Sequence, residues 1–298
     1  MQIKEIAIKP LSLAWQKVQD YKMLVKFRLS MTVVFSSVMA YLIADTGPVN
    51  WVALAILASG GFLVTGAANA LNQVLEKDYD RLMKRTANRP VAAGRMKMSE
   101  AVMSAGLMSL FGITLLALFN PWTAFFGTFA LVSYAFLYTP MKRLSPSAVV
   151  VGAVPGALPT LIGCVAAQGE LTALGLSLFA LQFFWQFPHF WSIGWLGYED
   201  YAKAGYRLMP EREGQRGRSI RMQAFVYTLF LLPVSATPYL LGETGPVSLV
   251  IVLAVTLGYI YFGWNFFKAG GRKPALGLMF YSFIYIPASL IAFFADKL

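Results

Sequence analysis

The sequence predicts an all-α, polytopic membrane protein, and three observations carry that prediction. Hydrophobic residues make up 57% of the 298 positions and charged residues only 13%, more apolar surface than one soluble core can hide. Apolar stretches of roughly 20 residues, the length that crosses about 30 Å of hydrocarbon, recur along the chain. Lys and Arg fall in alternate loops between those stretches, as retention on the cytoplasmic side requires.

The apolar stretches predict nine transmembrane helices, at 27–44, 51–75, 101–119, 122–138, 147–167, 172–195, 222–242, 246–265 and 275–295. Of the 25 basic residues, six lie in the segment to Arg28, seven in the 76–97 loop, two at Lys142 and Arg143, six in 196–221 and three in 266–274. The intervening loops near Asp45, Asn120, Gln168 and Glu243 carry none. This alternation places the N-terminus in the cytoplasm and the C-terminus outside. Residues 1–26 contain neither a cleavable apolar segment nor an organellar presequence, so the expected location is the cytoplasmic (inner) membrane of a prokaryote.

The net charge of +11 therefore describes the cytoplasmic face, which suits anionic headgroups and phosphate-bearing substrates. Its spread over several loops argues against a nucleic-acid partner. The single cysteine, Cys164, excludes a disulfide framework and a cysteine-based zinc site. No linker or low-complexity run divides residues 1–298, which are read as one membrane domain whose cytoplasmic loops 76–100 and 196–221 cap the active site. Each loop follows the second helix of a four-helix set, is basic, and opens on acidic residues at Asp80 and Asp200. The helices thus divide into two four-helix halves plus a ninth helix.

Two clusters can carry chemistry. Asn72, Glu76 and Asp80, spaced i, i+4, i+8, share one helical face and offer the hard oxygen donors that suit Mg²⁺. The bland alternative is that the acids solvate a helix end beside Lys77, Arg81, Lys84 and Arg85. Arg81, Arg85 and Arg89 follow within a few residues, and guanidinium groups beside carboxylates are what a metal-bound diphosphate requires. Each also fits a topology signal, as do Lys142 and Arg143.

The second cluster is Trp185-Gln186-Phe187-Pro188-His189-Phe190-Trp191, followed by Glu199-Asp200-Tyr201 and Lys203. His189 is the only histidine and lies in a membrane segment, where a neutral imidazole can ligate haem iron, act as acid or base, or be a hydrogen-bonded core residue. The flanking aromatics suit a flat macrocycle and equally a packed core. Glu199 and Asp200 offer a second pair of carboxylates where the first cluster ends its helix, so two metal ions around a diphosphate are expected if the halves face each other. The small residues and prolines Gly152, Pro155, Gly156, Pro159 and Gly163 fit either a kinked helix or close packing.

Taken together, these residues resemble the intramembrane aromatic prenyltransferases, and within that family the branch that farnesylates haem. The resemblance covers nearly the whole chain. It rests on Asn72, Glu76, Asp80-Arg81-Leu-Met-Lys-Arg85-Thr86, on Tyr138-Thr-Pro-Met-Lys142-Arg143, on Gly152-Ala-Val-Pro-Gly156-Ala-Leu-Pro159, and most sharply on Trp185-Gln-Phe-Pro-His189-Phe with Glu199-Asp200-Tyr201. The chain departs from the wider family at Glu76, where Asp is usual, at Ala204, where a second Asp is common, and near Pro146-Ser147-Ala148, which lacks an asparagine.

The resemblance implies transfer of a farnesyl group from farnesyl diphosphate to a vinyl group of haem B, giving haem O and diphosphate. It assigns Mg²⁺ to Asn72, Glu76, Asp80 and Asp200, the diphosphate to Arg81, Arg85, Arg89, Lys142, Arg143 and Lys203, and haem, as substrate, to His189 and Trp185. A downstream haem A synthase or terminal oxidase assembly is the implied partner. A prenyltransferase acting on a quinone-precursor aromatic acid would give the His189 block no role. A transporter would keep its ionisable groups near the midplane, and a non-catalytic haem-binding protein would tolerate loss of Asn72 or Asp80.

Overall fold

The computed structural model describes residues 10–209 and 214–298, with the side chains of residues 10–12 and 214–216 left aside. Lys4, Lys9 and Arg212 of the charge pattern lie outside the described residues, and of Arg216 only the backbone is described. The order is α1 (Pro10–Leu24), α2 (Phe27–Ala44), α3 (Trp51–Leu75), the short α4 (Lys77–Asp80), α5 (Met98–Ala117) and α6 (Pro121–Val132), which runs on as a π-helical segment (Ser133–Tyr138) and α7 (Thr139–Met141). There follow α8 (Ala148–Gln168), α9 (Ala173–Leu196), the short α10 (Tyr198–Lys203), α11 (Gly214–Leu240), α12 (Pro246–Ala269) and α13 (Arg272–Ala295).

Among the described residues, eight helices are long and apolar enough to cross a membrane. Of the helices of 18 or more residues, α9 falls outside that group: its 24 residues match the others in length but include Gln182, Gln186 and His189, all buried within the bundle. Helix ends carry ordinary signals. Asn50, Asn120 and Thr172 each accept a hydrogen bond from the backbone N–H three residues on, satisfying a donor the helix cannot.

Two apolar cores run side by side. One joins α3, α5, α6 and α8 through residues such as Leu57, Ala105, Leu131 and Leu161. The other joins α9, α11, α12 and α13 through Leu178, Leu231, Tyr259 and Phe293. Helices α2 and α8 pack together along the seam, and α2 sends Met39, Ala40 and Ile43 into the second core. The glycines of α8 serve close approach: a Cβ at Gly152 would meet the Tyr138 ring, at Gly156 the Gln186 amide, and at Gly163 the carbonyl of Ser37 on α2.

The two ends of the bundle differ. Lys297 donates to the carbonyls of Leu42 and Asp45 at 2.7 Å each, and Leu298 N–H donates to Glu243, so the C-terminus closes the end where α2 finishes. The end where α2 begins carries the charge. There α1 lies against the first turn of α5, through Lys17 to Glu100 at 2.8 Å, and against the loop before it, through Arg95 to Asp20 at 2.9 Å.

Candidate active site

At the charged end, α3 stops at Leu75 and Glu76 takes non-helical angles (φ −102°, ψ 8°). The hydrogen-bond ladder nevertheless continues, Glu76 N–H to Asn72 at 2.9 Å and Asp80 N–H to Glu76 at 2.8 Å, so Asn72, Glu76 and Asp80 keep one face across the break. All three are buried, at 0%, 5% and 0% exposure. Each holds a cation from a different part of the chain. Lys26 Nζ donates to Asn72 Oδ1 at 2.9 Å, Lys142 Nζ to Glu76 Oε1 at 2.8 Å, and Arg89 to both oxygens of Asp80 at 2.8 Å. Asn72 also donates to Thr139, and Thr86 caps the Asp80 carbonyl.

The field within this cluster is uneven. Burial pushes Glu76 up, but Lys142, with Lys26 and Arg89, outweighs it and holds the carboxyl below its ordinary range. For Asp80 burial wins over Arg89, and the carboxyl sits above its ordinary range. Burial, then the nearby Arg89 and Lys142, push Lys26 well below a usual lysine. Burial beside Glu76 and Asp80 likewise pushes the Tyr206 hydroxyl up. Two carboxylates and an amide in a desolvated pocket rich in cations fit a hard divalent ion that arrives with an anion.

The outer cations divide. Arg143 donates to the Tyr79 hydroxyl at 2.6 Å and Arg85 to the Tyr201 hydroxyl at 3.2 Å, both over tyrosine rings at the rim. Arg81 turns aside to the Ala92 carbonyl and Asp78, and Lys203 is exposed. Among the described residues no three His, Cys, Asp or Glu side chains converge as a metal group, so Asp200 does not join Glu76 and Asp80 in one cluster. It lines a polar pocket with Glu199, Trp195 and Arg272. Ala204 is buried with Met83 and Tyr206, and this contact joins the two polar loops over the mouth.

Lys26 and Tyr134 are the residues that sequence reasoning missed. Lys26 counted only as a topology charge, yet it holds Asn72 and reaches the Tyr134 hydroxyl at 3.4 Å. Its backbone is left-handed (φ 47°, ψ 57°), the only non-glycine with positive φ among the described residues, and such strain concentrates at functional sites. Tyr134 and Tyr138 belong to the π-helical segment, where Pro140 supplies no N–H to continue an α-helix.

Inside the bundle lies a cavity of about 260 Å³, its lining including Asn69, Tyr134 and Tyr138 as well as Trp185, His189 and Phe283; Tyr134 meets Lys26 and the Tyr138 ring meets Lys142 of the charged cluster. Trp185 stacks on His189 with ring centres 5.0 Å apart and planes 17° from parallel. His189 Nδ1 lies 2.7 Å from Ser282 Oγ, and Trp185 Nε1 donates to the Ser282 carbonyl at 2.8 Å. The cavity thus holds an aromatic site with an imidazole and is walled by the two tyrosines that touch Lys26 and Lys142 of the oxygen cluster, a layout that suits an enzyme joining a phosphorylated apolar chain to a flat acceptor.

Residues 33–284 match the UbiA prenyltransferase family. The chain belongs to that family. It is 43% identical over 281 residues to the "Protoheme IX farnesyltransferase" of Cytophaga hutchinsonii, spanning 94% of this chain and 98% of that one. The protein of the same name from Flavobacterium johnsoniae is 43% identical over 285 residues, spanning 93% and 94%. In fold the chain is similar to a digeranylgeranylglyceryl phosphate synthase (TM-score 0.79, 18% identity, 94% of this chain and 98% of that one). It is also similar to a UbiA homolog from Archaeoglobus fulgidus bound to DMAPP and Mg²⁺ (TM-score 0.69, 13% identity, 92% and 99%).

Proposed function

We propose that this integral membrane enzyme transfers the farnesyl group of farnesyl diphosphate to a vinyl group of haem B, giving haem O and diphosphate. The observation that carries this reading is the cavity that holds the Trp185–His189 pair and is walled by Tyr134 and Tyr138, the tyrosines in contact with Lys26 and Lys142 of the buried carboxylate and cation cluster. The names of the relatives that match over more than nine-tenths of the chain support it.

In this reading Asn72, Glu76 and Asp80 would hold Mg²⁺ at the mouth, while Asp200 stays outside that cluster in the pocket beside Arg272. Bound there, the metal ion supplies positive charge to the departing diphosphate. Lys26, Lys142 and Arg89 exchange their protein acceptors for diphosphate oxygens, and Arg85, Arg143 and Lys203 add charge at the rim. The C1–O bond of the allylic diphosphate breaks, and the apolar walls keep water from the farnesyl cation. The vinyl group donates its electron pair to C1. Water then adds to the cation left on the haem substituent and releases a proton, which yields the hydroxyethylfarnesyl group. Trp185 and His189 hold and orient the macrocycle.

The same reading gives α9 a full crossing, nine in all, with the charged mouth and the N-terminus in the cytoplasm and the C-terminus outside the inner membrane. Alternate basic loops support this orientation, as does the placement of the C-terminus at the opposite end from Lys26.

The test is an assay in nanodiscs with haem B, farnesyl diphosphate and Mg²⁺, reading pigment mass. A hydroxyethylfarnesyl haem that disappears with EDTA is the expected result. Prenylation of 4-hydroxybenzoate without any haem product would overturn the acceptor assignment and leave the family intact.

A further inference from the structure

Beneath His189 the cavity wall is formed by α13. Ser282, fully buried on α13, touches both side chains of the aromatic site: its hydroxyl meets His189 Nδ1 at 2.7 Å, and its carbonyl accepts from Trp185 Nε1 at 2.8 Å. A serine hydroxyl has one proton, and here the Oγ donates it to the Met279 carbonyl one helical turn back. With its proton on that carbonyl the oxygen can accept from His189, the arrangement that puts the imidazole proton on Nδ1.

The opposite nitrogen, Nε2, has no hydrogen-bond partner among the described residues and is not among the buried polar atoms sealed from all space. His189 lines the cavity, and Nε2 is the ring nitrogen left available to it. The ring cannot turn to offer the other face without losing Ser282 and the stack on Trp185, while Phe283 packs edge-on at 5.2 Å. The His189 carbonyl is held in turn by Ser192 at 2.7 Å.

We infer that Ser282 is a positioning residue that fixes the Nδ1–H tautomer of His189, so that Nε2 serves as an axial ligand to the iron of the haem substrate. The inference rests on the haem-acceptor reading above. Metal-bound histidines commonly donate their other N–H to a fixed acceptor, which sets ring orientation and raises ligand basicity. Ser282 supplies that acceptor from a helix that contributes nothing to the charged mouth. It also explains why Trp185 and His189 act as one unit, since a single residue anchors both.

The experiment is resonance Raman spectroscopy and titration of ferrous haem B into the full chain in nanodiscs, with Mg²⁺-dependent farnesyl diphosphate affinity measured on the same samples. The wild type should show an iron–histidine stretch, lost in His189→Ala and restored by added imidazole. Ser282→Ala should bind haem about 10–100-fold more weakly, the loss typical when such a partner is removed, with that stretch at lower frequency and farnesyl diphosphate affinity unchanged. Ser282→Thr, which keeps a hydroxyl, should return toward the wild-type frequency. It also decides the matter if Ser282→Ala loses both substrates through misfolding: a folded Ser282→Thr without the wild-type band overturns the inference. A wild-type stretch and affinity in Ser282→Ala would overturn the role of Ser282 and leave the haem reading standing. Absence of haem binding in the wild type would instead bring down the acceptor assignment itself.

Discussion

The oxygen cluster at the mouth and the aromatic site in the interior are held by opposite means. At the mouth, Asn72, Glu76 and Asp80 each hold a separate cation, at 2.8–2.9 Å, inside a region with almost no exposure. In the interior, His189 is held by a neutral hydrogen bond and by rings, with no charge beside it. Cations held on protein oxygens can exchange partners when a diphosphate and its metal arrive, because the new oxygen acceptors replace the old ones. A stacked imidazole with a fixed tautomer cannot exchange; it is already arranged for one atom. The mouth is built to be rearranged by its ligand and the interior to be filled.

The sharpest way to break this contrast is at Asp80. Asp80→Ala removes a proposed metal donor and should lower kcat/KM by about 10³-fold, within the range known for losing one group that stabilises developing charge. Kinetics with farnesyl diphosphate varied at saturating haem would show it. His189→Ala should lower apparent haem affinity by roughly 100-fold or more, beyond the loss expected for its Ser282 partner, while the KM for farnesyl diphosphate stays unchanged. Equal losses for both substrates would erase the distinction between the two ends.

Stability should separate the ends as well. Glu76→Ala leaves Lys142 buried without its partner and should cost roughly 3–5 kcal/mol in reversible unfolding, most of it regained in Glu76→Ala/Lys142→Met. Gly163→Ala, remote from both ends, forces a Cβ against the Ser37 carbonyl and should cost about 1–3 kcal/mol with little change in KM for either substrate.

The smallest effect is on pH. Asp80, raised by burial, binds a proton before Glu76, which Lys142 keeps ionised. As pH falls, activity should be lost first through Asp80, above the ordinary carboxylate pKa of about 3.9. Arg89 lowers the Asp80 pKa, so Arg89→Gln should move this acid limb to higher pH. The Glu76 pair has the opposite sign: its stabilisation is present above the ordinary carboxylate range and lost only as pH falls through the depressed value. An acid limb unmoved by Arg89→Gln would show that another group governs it.

Much of this was legible because lipid imposes a simple code. The stretches 27–44 and 51–75 coincide with α2 and α3, since a run of apolar residues in a membrane leaves the backbone no choice but a helix. The face of Asn72, Glu76 and Asp80 was legible from spacing alone, and so was the isolation of His189. Helix α1 was not, because its reason to fold lies elsewhere in the chain: Asp20 and Lys17 are held by Arg95 and Glu100. Lys26 looked like a topology charge, since sequence does not reveal a left-handed backbone or a hydrogen bond to a residue 46 positions away. Asp200 illustrates the reverse. Its place at a helix end suggested a partner for Glu76 and Asp80, but the chain turns it toward the side of Arg272. Ser282, in a helix read only as apolar, gave no sequence signal at all.

The most direct test is equilibrium binding of each substrate alone, farnesyl diphosphate with Mg²⁺ and haem B, to the wild type, Asp80→Ala and His189→Ala in nanodiscs. Two functional ends of one cavity predict a crossed pattern: Asp80→Ala loses farnesyl diphosphate and keeps haem, while His189→Ala loses haem and keeps farnesyl diphosphate. If either variant keeps both ligands, or one substitution removes both from a folded protein, the division of the cavity between two substrates is wrong.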